Sequence, residues 1–157
     1  MDLEKSFVAP RSIGTAAPLV QSFFKAAGYR KVSEKPLVYQ RGSLYGTWMS
    51  FTPSRWATRA AVDLRMARPG QTEVIVKLHV NDSGQAITDA ERKYWDLEFA
   101  ALEKAVVTGE ADAASLEDSA RAVASSGLRT VLVLVAGATA FFVVTYLLGY
   151  LLKRLIS

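Results

Sequence analysis

From Arg59 to Val80 the chain alternates. Ala60, Val62, Leu64 and Met66 share one face of a strand over 59–67, while Arg59, Asp63 and Arg65 take the other. Pro69-Gly70 signals a turn. A second strand over 72–80 sets Val74, Val76, Leu78 and Val80 against Glu73, Ile75, Lys77 and His79. Together these predict a hairpin, closed by the turn residues Asn81-Asp82-Ser83-Gly84. Further on, the period lengthens to about 3.6 residues: Trp95, Phe99, Leu102 and Val106 lie on one helical face. Thr88-Asp89-Ala90-Glu91 has the capping-box pattern, so a helix is expected over 89–107. Upstream, 4–9 reads as a short strand closed by Pro10. Thr15 is the expected cap of a helix over 16–27, with Pro18 in its first turn, Leu19, Val20, Phe23 and Phe24 on its apolar stripe, and Gly28 as its stop. Two more strands are expected at 37–40 and 47–51, separated by a loop from Gly42 to Gly46.

The expected order is therefore strand, helix, four strands, long helix. It describes an α+β domain in which an antiparallel sheet of about five strands packs one face on two helices and turns the other to water. Over roughly residues 4–107 this order is similar to the single repeat of TBP-like and helix-grip α+β folds. The resemblance lies in element order and implies no activity.

Beyond the long helix the pattern changes again. Residues 108–127 carry few large apolar side chains and read as a linker, helical in part at most. The 23 residues from Thr130 to Leu152 then contain no charged side chain, with Arg129 on one side and Lys153-Arg154 on the other. As a helix this run would be about 34 Å long, enough to cross a hydrocarbon core about 30 Å thick. Tyr146 and Tyr150 stand where an aromatic belt forms. The expected organisation is a soluble domain over 1–107, a linker over 108–127, and a transmembrane helix with a short basic tail over 128–157. Met-Asp-Leu-Glu-Lys-Ser shows no apolar signal region, so a single-pass, tail-anchored protein with its N-terminal domain in the cytoplasm is expected. Within the run, Ala136, Gly137 and Ala140 have the small-residue spacing that lets helices approach closely, which makes them a candidate helix–helix contact with a second copy or another membrane protein.

Composition narrows the chemistry. The chain has 157 residues, a formal net charge of +4 and no cysteine, which excludes thiol catalysis and cysteine-based metal sites. His79 is the single histidine, so His-based zinc sites and Ser-His-Asp triads are not expected, and it is read as a solvated residue opposite Asp63 or Arg65. No phosphate-binding glycine motif occurs. No cofactor or metal is expected, and the chain is not read as an enzyme.

Charge is unevenly spread. Residues 1–68 hold eleven Lys and Arg against four Asp and Glu, whereas 69–127 hold five against eleven. The soluble part is thus nearly neutral, which argues against nucleic-acid binding. A basic face of Arg11, Arg30, Lys31, Lys35, Arg41, Arg55 and Arg59 could meet anionic lipid, with Arg41, Arg55 and Arg59 as the candidate headgroup contacts. Glu98 falls on the apolar side of the long helix, so it must be paired, hydrogen-bonded or protonated. An arginine, Tyr94 or Trp48 are its expected partners; the alternative is a polar anchor in a ligand cavity. Trp48, Trp56, Trp95 and Glu98 are the candidate ligand or partner contacts, with Trp56 expected in an exposed loop beside Arg55. Two functions are expected from this. The first is an accessory or scaffold component of a membrane assembly that binds protein. The alternative is a tethered module that holds a small apolar or lipid-like ligand between sheet and long helix.

Overall fold

A computed structural model of the chain describes residues 1–50, 52–82, 87–109 and 118, and for Trp48, Met49 and Ala90 it describes the backbone alone. The elements run β1 (Asp2–Ala9), α1 (Ile13–Ala26), β2 (Arg30–Glu34), β3 (Leu37–Arg41), α2 (Leu44–Met49), a 3-10 turn (Pro53–Arg55), β4 (Thr58–Arg68), β5 (Gln71–Val80) and α3 (Asp89–Thr108). The five strands form one antiparallel sheet in the order β1-β5-β4-β3-β2. This is the expected α+β architecture, with one strand exchanged.

The exchange has a physical reason. Over 47–50 the expected strand does not form; Leu44–Met49 is a short helix instead, capped by Ser43, whose side chain accepts from the Gly46 N–H. The fifth strand is β2, which is polar and largely exposed. It is an edge strand paired on one side only, so it needs no alternating apolar face, and its charges discourage pairing with other chains. Lys31 and Glu34 close an ion pair on it at 2.8 Å.

The hairpin and the long helix follow the sequence closely. Val74, Val76, Leu78 and Val80 are all buried on β5, opposite Ala60 and Val62 of β4. In α3, Trp95, Phe99, Leu102 and Val106 are buried together, and the Thr88–Glu91 capping box is closed in both directions. α1 begins three residues before the expected start, with Ser12 rather than Thr15 at its cap. It buries Ala16, Val20, Phe23 and Phe24, and Gly28 follows it with a left-handed φ of 80°. Both long helices lie on the same face of the sheet, where their side chains join those of β1, β3, β4 and β5 in one core. The opposite face is polar, with Lys77–Glu4, Arg65–Asp63 and His79–Asp2 pairs across it. His79 therefore stands opposite Asp2 and Arg59, not Asp63 or Arg65, because the register places Arg59 beside it.

The two ends of the domain are distinct. At one end Ala9 and Met66 flank Thr72, the Thr72 hydroxyl donates to the Arg11 carbonyl, and Arg11 donates to the Val107 carbonyl near the end of α3. The chain leaves α3 here, at Gly109. At the other end Arg41 pairs with Thr58 and Thr58 with Val80, and α2 and the start of α3 lie there. Among the described residues, no helix is long and apolar enough to cross a membrane. The run from Thr130 to Leu152, the linker apart from residues 108, 109 and 118, and the small residues Ala136, Gly137 and Ala140 lie outside the described residues.

Candidate functional site

Of the seven contacts singled out within the domain, the structure places four in its interior or at its ion-paired centre. Trp56 is 1% exposed, not in an open loop, and its indole N–H donates to the Ser50 carbonyl at 2.8 Å. The large apolar ring is worth a few kcal/mol buried, and the turn at Pro53–Arg55 lets it fold inward. Trp95 is fully buried. Glu98 and Arg41 are buried together: Arg41 Nη2 donates to Glu98 Oε2 at 2.9 Å. Arg41 is therefore not a headgroup contact, because its charge is spent inside. Arg55 and Arg59 are exposed, as expected. Trp48 belongs to α2, and its side chain lies outside the described residues.

The Arg41–Glu98 pair joins three elements. Arg41 ends β3, Glu98 comes from α3, and Arg41 Nη1 donates at 3.0 Å to the carbonyl of Ala27, the C-cap of α1. A helix C-terminus offers carbonyls without intrahelical donors and a partial negative charge, and the guanidinium answers both. The same guanidinium sits 4.2 Å from the Tyr29 ring centroid, with Trp95 and Tyr94 at 5.5 and 5.9 Å. Burial works to lower the pKa of Arg41, but the Glu98 carboxylate together with Tyr29 and Tyr94 outweighs it and holds the guanidinium more firmly charged. Tyr29 and Tyr94 are both pushed up, first by burial and then by the negative charge of Glu98. Arg41 Nε, Glu98 Oε1, Tyr29 Oη and Trp95 Nε1 have no hydrogen-bond partner among the described residues. An incompletely bonded buried pair is a costly way to gain stability, so its value here is in fixing how the three elements meet.

What this anchoring supports lies just outside. Gly42 follows Arg41 with a φ of 70°, and a Cβ there would strike the Trp56 carbonyl. A Cβ on Gly46 would strike the carbonyl of Arg55. Two glycines thus let the α2 turn lie directly on the backbone of the following segment. Ser43 N–H donates to the Arg55 carbonyl at 3.2 Å, and Thr47 Oγ1 accepts from Ala57 N–H at 2.9 Å. On top of this tight base, Leu44 is 58% and Tyr45 74% exposed. Arg55 is exposed on the same unit. Beside it, Lys25, Gly28, Tyr29, Arg30, Gln40, Arg41 and Gly42 line an open cleft of about 490 Å³, none of them a carboxylate.

The basic face expected from the sequence therefore divides. Arg30, Arg55 and Arg59 belong to the α2 end. Arg11 is drawn to Val107 at the far end, Lys31 pairs with Glu34, and Lys35 lies in the β2–β3 turn. Leu44 and Lys25 escaped sequence reasoning. The one available signal was Ser43 followed three residues later by Gly46, an N-cap without the helical periodicity that would have marked it.

No protein-family model matches the chain, and no curated protein matches it. The site has to be interpreted from its own geometry.

Proposed function

We propose that this chain is a single-pass membrane protein whose α+β domain, on the cytoplasmic side, binds protein as an accessory or scaffold component of a membrane assembly. The membrane part of this reading rests on the uncharged run from Thr130 to Leu152. The protein-binding part rests on one observation: Leu44 and Tyr45 are held open to solvent on a unit whose underside is packed against backbone. Such a surface loses little conformational freedom when it is covered. Tyrosine and arginine are enriched where protein interfaces concentrate their energy. The interior residues once candidates for a ligand cavity, Trp95 and Glu98, are engaged inside the domain.

The test is gentle extraction with a non-ionic detergent followed by size analysis. The protein should resist carbonate washing and elute as a defined complex. L44S/Y45S should resist washing equally but lose its neighbour. Release by carbonate would remove the membrane reading, and a lone monomer from wild-type extracts would remove the protein-binding one. Protease protection of sealed vesicles reports which side the domain occupies.

A further inference from the structure

The open cleft is built from the end of α1, the start of β2 and the end of β3. Its acceptors are spent and its donors are not. A helix C-terminus normally leaves carbonyls open, and these repel an anion. At the end of α1 they are taken. The Phe23, Phe24 and Lys25 carbonyls accept from the N–H groups of Ala27, Tyr29 and Gly28, and the Ala27 carbonyl accepts from Arg41 Nη1. Lys25 and Arg30 line the cleft and are exposed, and neither has an ion-pair partner among the described residues. Arg41 lines it too; it is 8% exposed, and its Nε–H has no acceptor among the described residues. That edge of Arg41 lies beside Gly28: a Cβ on Gly28 would stand 3.8 Å from Arg41 Cδ, the carbon that carries Nε. Glu98 offsets the charge of Arg41 alone. The lining therefore holds two uncompensated cations, a buried third behind them and no acid.

We infer that this cleft binds a phosphomonoester, with Lys25 and Arg30 on the phosphate oxygens and Arg41 as a fixed charge behind them. A phosphomonoester carries about −1.5 to −2 charges at pH 7, which two free cations match. The guanidinium of Arg30 offers parallel N–H groups to two oxygens, and the Lys25 ammonium follows as a point charge on a flexible stem. The cleft of about 490 Å³ lies in the range of small-molecule sites, about 300–1,000 Å³, and is larger than a phosphate group fills. An organic remainder fits beside the phosphate, where the Gln40 side chain offers both a donor and an acceptor. The Tyr29 ring does not stack on it, because the Arg41 guanidinium already sits 4.2 Å from its centroid. Two sources supply this chemistry, a soluble phosphomonoester and the headgroup of a phosphomonoester lipid. The inference goes beyond protein binding and holds whether or not 130–152 spans a membrane.

The test titrates the full chain, in phosphatidylcholine nanodiscs, with phenyl phosphate by calorimetry. Benzenesulfonate, a singly charged anion on the same ring, is the control. Phenyl phosphate should bind saturably, weaken with added salt, and bind more tightly than benzenesulfonate. K25Q/R30Q should weaken it by about tenfold or more, as expected for losing charge-assisted hydrogen bonds. R68Q, at the β4–β5 turn, should leave it unchanged, and unaltered melting by circular dichroism shows that the variants fold. Added vesicles of phosphatidylcholine with phosphatidic acid separate the two sources. Displacement of phenyl phosphate by these, and not by phosphatidylcholine alone, supports the site with a lipid headgroup as its ligand; retention supports it with a soluble one. Absence of saturable phenyl phosphate binding, equal binding of benzenesulfonate, or unchanged binding in K25Q/R30Q overturns the inference.

Discussion

Arg41 and Arg55 flank the same short excursion between β3 and β4, and they meet opposite fates. Arg41 is buried, bonded to Glu98 and to the end of α1, with aromatic rings against it. Arg55 lends its backbone to the α2 turn and leaves its side chain in water. The difference shows why a residue type alone does not locate a binding surface. A guanidinium with a buried carboxylate partner is held by the interior, and one without is available to whatever approaches. The inner arginine fixes the excursion, and the outer one belongs to what the excursion displays.

The largest way to break this contrast is to strand the inner charge. Glu98→Ala should destabilise the domain by about 3–5 kcal/mol, because it leaves Arg41 buried without a counter-charge. Chemical denaturation followed by tryptophan fluorescence measures this. R41M/E98L should recover most of the loss, which would show that the pair positions more than it stabilises. Next is Gly42→Ala. The left-handed backbone and the collision with Trp56 should together cost about 2 kcal/mol or more. This variant should also lose partner binding by displacing Leu44 and Tyr45. Thr88→Ala removes the α3 cap, which is bonded to Glu91 and to neither arginine, and should cost about 1 kcal/mol with partner binding intact.

A pH titration sharpens the same contrast. Tyr29, and with it Tyr94, has a folded-state pKa raised above the ordinary 10.0, from burial first and the Glu98 charge second. Both are neutral in the folded state where the unfolded chain would already ionise. Their contribution to stability is therefore complete below about 10 and is lost as pH rises beyond it toward the folded values. Tyrosinate absorbance should show Tyr29 and Tyr94 ionising only with unfolding. The smallest effect on stability belongs to L44S/Y45S, within about 0.5 kcal/mol, and there the expected loss is in binding alone.

The α3 capping box, the buried stripe from Trp95 to Val106, and the β4–β5 hairpin were all legible because each is set by local periodicity and capping. Glu98 was legible as an acid on the apolar side whose partner is an arginine, Tyr94 or Trp48, but the choice of Arg41 was not. Many residues separate the two along the chain, and only the packing of β3 against α3 brings them together. Met66 shows the limit of periodicity even in a well-read strand. It continues the apolar face of β4, yet it is 72% exposed, although Thr72 opposite is buried. Alternation tells which side a residue faces and not whether anything lies over it.

The sequence by itself determined the α+β class, four of the five strands and the ends of the strongest elements, because hydrogen-bonding period and burial of apolar faces are written in neighbouring residues. The tertiary structure decided that β2 rather than 47–51 joins the sheet, that Trp56 turns inward, that Arg41 is spent on Glu98, and that Leu44 and Tyr45 stand outside. These depend on which distant surfaces compete for the same space and charge, and a linear pattern contains no term for that competition.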